Sequence, residues 1–138
     1  MHWSPLVPEL VVTDLRASVS FWVDVLGAEV LFERPDPPFV YLGLGEAQVM
    51  LEQDHDGAWV TADPVRPRGR GVNLQIEVAD VAAIATRCAE AGIRPFRDLH
   101  ESWYDVGDGA REGQLEFLVQ DPDGYLLRTV QPLGRTPS

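Results

Sequence analysis

The stretch that decides the fold is QLEFLVQDPDGYLLRTVQ, residues 114–131. Leu115, Phe117 and Val119 occupy alternate positions, which predicts a strand with one well-buried face. The DPDG sequence that follows is typical of a turn, because proline fixes φ, aspartate bonds the nearby backbone and glycine accepts a positive φ. A second apolar run then completes a predicted β-hairpin. Arg128 interrupts this run, and it is either an edge residue facing water or a charge held in a polar cavity.

Length and composition predict one globular domain, residues 1–138. A chain of 138 residues can bury a substantial core. The sequence is 45% hydrophobic and 24% charged, as is usual for a soluble protein, and it contains no apolar run long enough to span a membrane. Cys88 is the single cysteine, so an intramolecular disulfide is excluded and a reducing cytoplasm is the expected location.

The charge balance is strongly acidic. Lys+Arg number 11 and Asp+Glu number 22, which gives a formal net charge of −11. Such a field repels nucleic acid and anionic membranes, so neither is expected as a partner. It attracts cationic ligands, but acidity also serves simply to keep a protein soluble, and charge alone leaves both interpretations open.

The first half of the chain predicts a strand, a helix and three more strands. Residues 5–12 form the first strand, and Asp14 and Gly27 are placed to cap and to end a helix. Four apolar residues recur at helical spacing in this segment: Leu15, Val19, Trp22 and Leu26. The further strands are predicted at 29–34, 39–44 and 47–53.

The second half repeats this order. Residues 54–71 have little periodicity and are expected to form a crossover loop. After it come a strand at 72–78 and a helix that starts at Asp80 and ends at Gly92. A strand is expected at 93–99, an aromatic and acidic loop at 100–113, and a frayed tail after Leu133.

The two halves match as βαβββ modules whose capping residues, Asp14 and Asp80, are 66 positions apart. We therefore predict an α+β fold made of module one (5–53), the crossover loop (54–71) and module two (72–132), with curved mixed sheets around a cavity. Strand alternation places two sets of residues on the faces turned away from the helices: Val7, Glu9 and Val11, and Asn73, Gln75 and Glu77. Polar groups on such faces require water, a partner or a ligand.

The repeat, VTDLRASVSFWVDVLG at 12–27 and FLVQDPDGYLLR at 117–128 resemble the vicinal oxygen chelate superfamily over nearly the whole chain. That superfamily includes glyoxalase I, extradiol dioxygenases, fosfomycin-modifying enzymes and bleomycin resistance proteins. The resemblance implies metal-ligand positions at Val7, Asn73 and Arg128. Valine cannot bind a metal, asparagine is a weak neutral donor and arginine repels a cation. The standard metal site is therefore expected to be absent, with no cofactor.

Within the superfamily, the chain most resembles the bleomycin resistance branch, which binds a drug without altering it. A Val-Pro pair at 7–8 resembles the hinge of that branch's N-terminal arm, which implies an arm-exchanged homodimer with a ligand groove at or near its interface. We predict metal-independent sequestration of a cationic glycopeptide of the bleomycin type or a similar small molecule. The expected ligand-binding residues are Glu9, Asn73, Gln75 and Arg128 as a polar base, and Phe39, Trp103 and Tyr104 as apolar walls.

Two points stay open at this level. The first is the function: the alternative to a binding protein is a glyoxalase- or dioxygenase-like enzyme that uses displaced metal ligands (Glu9, Glu52, Glu77 or His100) or a carboxylate base (Glu9 or Glu77). A ligand sensor is a further alternative. The second is the partner of Arg128, which is either Glu9, Glu77 or an acceptor group of the ligand. The branch's tryptophan aligns with Gly113, so Trp103 would replace it only along a different path. The three histidines, His2, His55 and His100, are expected to be exposed, with the last two in loops.

Overall fold

The computed structural model describes residues 2–137 and contains the βαβββ order twice. Module one comprises β1 Glu9–Val12, α1 Leu15–Ser20 with a π-helical continuation Phe21–Val25, β2 Glu29–Pro35, β3 Pro38–Leu44 and β4 Ala47–Gln53. Module two comprises β5 Asn73–Glu77, α2 Val81–Glu90, β6 Arg97–Gly107, β7 Ala110–Gln120 and β8 Leu126–Pro137. None of the helices in this described range is long and apolar enough to cross a membrane.

Each module forms a four-stranded mixed sheet. The strand orders are β1-β4-β3-β2 and β5-β8-β7-β6, with the first pair of each sheet parallel and the remaining pairs antiparallel. The same order in both sheets confirms the predicted repeat and the α+β class. We call the side of each sheet turned away from its helix the open face.

Both helices begin where the sequence predicts. The Asp14 carboxylate accepts a hydrogen bond from the Ala17 amide at 3.2 Å, and Asp80 accepts one from Ala83 at 3.1 Å. These side chains satisfy amides that have no partner within the helix. Gly27 follows the π-helical turn with φ +86°, a conformation that glycine adopts without strain.

The core lies between the helices and the sheets and is continuous across both modules. Alternate residues of β1 and β5 enter it: Leu10, Val12, Leu74 and Ile76. Val72 was expected on the same face but is 59% exposed. The reason is that β5 begins only at Asn73, while the Val72 amide donates to the Gly69 carbonyl in a turn.

The 114–131 hairpin forms as predicted, with Gln120 opposite Leu126. In its turn, Asp121 Oδ1 accepts hydrogen bonds from the amides of Asp123 and Tyr125, both at 2.9 Å. Gly124 has φ +96°, and a Cβ there would lie 2.6 Å from Pro67. Glycine is therefore required at this position both by its conformation and by the crossover loop packed against it.

Several boundary predictions are wrong. Residues 100–113 do not form a loop, because β6 and β7 continue through them to a turn at Gly107, Asp108 and Gly109, all with positive φ. The strand expected at 93–99 starts at Arg97, and the tail expected to fray continues β8 to Pro137. These extensions project beyond the core, so their residues lack the apolar alternation that predicts strands.

The crossover loop is fixed to both modules through Arg68, which is only 8% exposed and whose backbone amide donates to the Asp123 carbonyl of module two at 2.9 Å. Its guanidinium donates to both carboxylate oxygens of Asp54 at 2.8 Å and to the Val11 carbonyl at 2.8 Å. A bidentate pair of this kind is strong and directional. The loop is therefore ordered.

At the other end of module one, β1 starts at Glu9 rather than residue 5, and the segment before it runs along β4.

Candidate functional site

Glu116 lies at the centre of the open face of module two. Its neighbour Phe117 points into the core, so alternation turns Glu116 the other way, yet it is only 1% exposed. Tyr104 Oη donates to Glu116 Oε1 at 2.7 Å, and Arg128 Nε donates to Oε2 at 2.6 Å. His100 Nε2 lies 3.3 Å from Oε1. Three strands thus contribute side chains to one polar cluster.

This cluster keeps Glu116 ionised. Burial by itself raises the pKa of the carboxyl, but hydrogen bonds from Tyr104, Ser102 and Arg128 outweigh that effect, and the net result is a lowered pKa. The carboxylate that neutralises Arg128 is therefore Glu116, which is neither of the two glutamates that the sequence suggested. Arg128 is held in a polar cluster and is not a free edge residue.

His100 belongs to the same face and was misplaced by the sequence. It lies on β6, is half-buried, and its Nδ1 is 2.8 Å from the Asp98 carbonyl oxygen. Its Nε2 is buried and has no well-aligned hydrogen-bond partner among residues 2–137. The imidazole therefore lies between two acceptor oxygens rather than in solvent.

Asn73 and Gln75 line a cavity beside this face. Both side chains are exposed, and Gln75 is in register with Arg128 across the parallel β5–β8 pair. The cavity measures about 320 Å³ and has uncharged walls from the N-terminal arm, β4, β5 and Trp22. The structure thus brings three of the expected site residues, Gln75, Arg128 and Tyr104, to one surface.

Trp103 is placed differently from Tyr104. Successive residues of a strand point to opposite faces, so Trp103 lies on the far side of β6 from Tyr104 and Arg128. Its indole covers Gly113, where a Cβ would lie 2.6 Å from the ring, and its Nε1 donates to Glu101 at 2.8 Å. Trp103 therefore fills the space above Gly113.

Glu9 lies on the other sheet, in an open cavity of about 470 Å³ on module one. The cavity is also lined by Glu52, His55, Arg34 and Trp59. Partial burial and the nearby Glu52 charge raise the pKa of Glu9, and Arg34 and His55 offset this only in part. His55 Nε2 lies 3.3 Å from Glu52 Oε2. The negative charges of Glu9 and Glu52 thus lie close together, and the positive charge nearby does not fully balance them.

Phe39 supports this cavity from below. It is 1% exposed, with the Arg34 guanidinium 4.2 Å above its ring and the Phe32 ring centroid 5.8 Å away. Phe32 also stacks on Tyr41 at 5.1 Å, and Trp3 packs edge-on against Tyr41 at 4.9 Å. Phe39 is thus the buried member of an aromatic layer. The exposed ring of this layer is Trp3, which is 51% exposed.

Comparison with known proteins identifies the family of this chain. The family model described as the Glyoxalase/Bleomycin resistance protein/Dioxygenase superfamily matches residues 5–129. The chain belongs to this superfamily. It is 25% identical to the bleomycin resistance protein of Geobacillus stearothermophilus over 136 residues, which span 92% of this chain and 96% of that protein.

Two solved structures from the comparison have the same fold. A virulence protein from Salmonella typhimurium superposes with TM-score 0.67 at 18% identity, covering 95% of this chain and 98% of that one. TioX from Micromonospora sp. ML1 superposes with TM-score 0.60 at 25% identity, covering 93% and 95%. The superfamily therefore accounts for the fold of both modules.

The metal positions of the superfamily carry unsuitable donors in this member. Val7 offers no ligand atom, Asn73 offers a neutral amide, and Arg128 places a guanidinium where a carboxylate is expected. The described part of the chain also contains no cluster of three His, Cys, Asp or Glu side chains arranged to hold a metal ion. These residues do not fit a divalent metal.

Sequence reasoning missed Glu116 as a site residue, although a signal was present. Glu116 and Arg128 have the same parity within one predicted hairpin and are therefore on the same face. Pairing of Leu118 with Arg128 puts Glu116 diagonally across from it, within reach of a long side chain.

Proposed function

We propose that this protein binds and sequesters a cationic small molecule of the bleomycin type without a metal and without altering it. The observation that carries the proposal is the module-one cavity, where Glu9 and Glu52 lie beside Trp59. A ligand that combines positive charge with flat rings matches such a surface, because carboxylates attract the charge and an exposed indole stacks on the rings.

The electrostatics of Glu9 support this proposal. Its raised pKa, caused by burial and by Glu52, means that the ionised carboxylate is under-compensated in the free protein. A bound cation supplies the missing opposite charge. Trp59 is 92% exposed, so its indole is accessible for stacking on a ligand. The likeness to a bleomycin resistance protein across nearly the full length of both chains points to the same ligand class.

A tryptophan-fluorescence titration with metal-free bleomycin at two salt concentrations tests the proposal. We expect saturable quenching that weakens with salt, since exposed charges are screened. Glu9→Gln and Glu52→Gln should each weaken binding several-fold, whereas Glu90→Gln, an exposed acid on α2, should not. An unchanged signal at high micromolar ligand, or equal affinity for all variants, would reject the cavity as a drug site.

The proposal includes an arm-exchanged homodimer in the cytoplasm. Residues ahead of β1 expose large apolar side chains, with Trp3 at 51% and Leu6 at 79%. A partner subunit that covered them would remove this apolar surface from water. Light scattering should give twice the chain mass, and deletion of residues 1–8 should return a monomer.

The proposed location in the cytoplasm is consistent with Cys88, which is buried, as suits a reduced thiol.

A second candidate, an enzyme with Glu9 as base, is favoured by the raised pKa of that carboxyl. Mass spectrometry of bleomycin recovered after long incubation separates the two functions. Recovery of the unchanged mass agrees with sequestration. If the parent protein forms a product from bleomycin and the Glu9→Gln variant does not, the protein is an enzyme and sequestration is rejected.

A further inference from the structure

We infer that the open face of module two is a receptor for an oxyanion, with Arg128 as the residue that binds it. The inference rests on the proposed binding role, because it assigns a second chemical group to the same ligand. A molecule that meets both modules would carry a cationic part for Glu9 and Glu52 and a carboxylate or similar group for Arg128.

The first argument is which half of the ion pair a ligand can reach. The Glu116 side chain is 2% exposed, whereas the Arg128 side chain is 27% exposed. The carboxylate is sealed beneath the guanidinium, so an approaching molecule meets the cation. Pairing with Glu116 thus fixes Arg128 in place while leaving its outer edge accessible.

The second argument is the number of hydrogen-bond donors that remain. A guanidinium has five N–H groups. Within residues 2–137, Nε donates to Glu116 and Nη2 donates to Tyr104 Oη at 3.2 Å, while Nη1 has no partner. The outer edge formed by Nη1 and Nη2 is therefore free to donate to two oxygens of a planar oxyanion, a geometry that favours carboxylate.

The third argument is that neighbouring groups prepare this orientation. The Tyr104 ring lies beneath the guanidinium, with 5.5 Å between the ring centroid and Cζ, and its hydroxyl bonds both Arg128 and Glu116. Gln75 lies in register beside Arg128 and adds an uncommitted amide. A cation held on two sides loses little conformational freedom when it binds.

The test uses benzoate and benzylamine, two probes with the same ring and opposite charge. Binding is followed by the Arg Nε–H NMR resonance of Arg128, assigned by its loss in the Arg128→Gln variant. We expect benzoate to shift this resonance saturably and benzylamine to leave it in place. Inorganic phosphate, titrated in parallel, shows whether carboxylate or phosphate is the better oxyanion.

Variants locate the effect. Because Arg128→Gln leaves a buried carboxylate unpaired, the double variant Arg128→Gln/Glu116→Gln removes both charges and should preserve the fold. Both variants lack the Arg128 resonance, so their benzoate affinity is measured by isothermal titration calorimetry beside the parent. It should be at least about tenfold weaker, as expected for loss of a charged hydrogen bond. Arg135→Gln is the matched control, since Arg135 also pairs with a glutamate through Nε at 2.8 Å but lies near the end of β8.

The inference is overturned if benzoate leaves the Arg128 resonance unmoved at saturating concentration, or if the double variant binds benzoate as the parent does. Its failure is separable from that of the proposed function. Benzoate binding without bleomycin binding would remove drug sequestration and keep the oxyanion receptor. Bleomycin binding without benzoate binding would keep drug sequestration and remove the oxyanion receptor.

Discussion

The turn that joins β7 and β8 contains a buried carboxylate, Asp121, whose charge destabilises the folded state. Asp121 is 3% exposed, and its Oδ2 is buried without a hydrogen-bond partner among the described residues. Asp123 lies beside it and is equally buried. Burial is the main reason that the pKa of Asp121 rises from 3.8 to about 6, despite the amides that donate to Oδ1. We predict that Asp121→Asn removes a pH dependence of stability that this residue causes.

The sign follows from the direction of the shift. Above pH 6 the carboxyl is ionised in both states, and the folded state bears the cost of a buried charge. As pH falls from 6 to about 4, the folded protein binds a proton that the unfolded chain does not, so stability rises. A pKa displaced from 3.8 to about 6 corresponds to about 3 kcal/mol over this window.

Urea unfolding followed by circular dichroism between pH 4 and 7.5 measures this effect. The asparagine keeps an acceptor at Oδ1 and replaces the buried charge with a neutral amide. The difference in unfolding free energy between variant and parent should therefore fall by about 2–3 kcal/mol from pH 7 to pH 4. Any constant cost of the new NH₂ group cancels in this comparison. Asp63→Asn, at an exposed acid, is the control. Equal pH slopes for Asp121→Asn and the parent would refute the argument.

Three further predictions concern packing. Trp22→Ala removes a fully buried indole and should lower the unfolding free energy by about 3–5 kcal/mol in urea titrations. Thr13→Val breaks the 2.6 Å bond to Asp123 that joins the modules, and thermal unfolding should show a loss of about 1–2 kcal/mol. Gly113→Ala places a Cβ against the half-buried Trp103 ring, which must move, so Trp103 fluorescence should change and the stability cost should be smaller than the ~1–3 kcal/mol of an overpacked core. Unchanged stability in Gly113→Ala, with unaltered Trp103 fluorescence, would contradict the described packing.

The site was less predictable than the fold, and particular residues show why. Tyr104 and Trp103 are neighbours in sequence, so both were expected to line one groove. Once 100–106 proved to be a strand, alternation put them on opposite faces. Glu9 and Arg128 were expected to share one polar base, but they belong to different sheets. The distance between these two side chains therefore depends on how the modules pack.

The sequence by itself determined the repeat, the two helix caps and the DPDG hairpin, because each depends on residues within a few positions of one another. It also determined which side chains occupy the positions where the resemblance implies metal ligands, since that requires only their identity. The tertiary structure decided the partner of Arg128, the raised pKa of Asp121 and the docking of Arg68. These depend on burial and on contacts between segments distant in the chain, which local patterns do not encode.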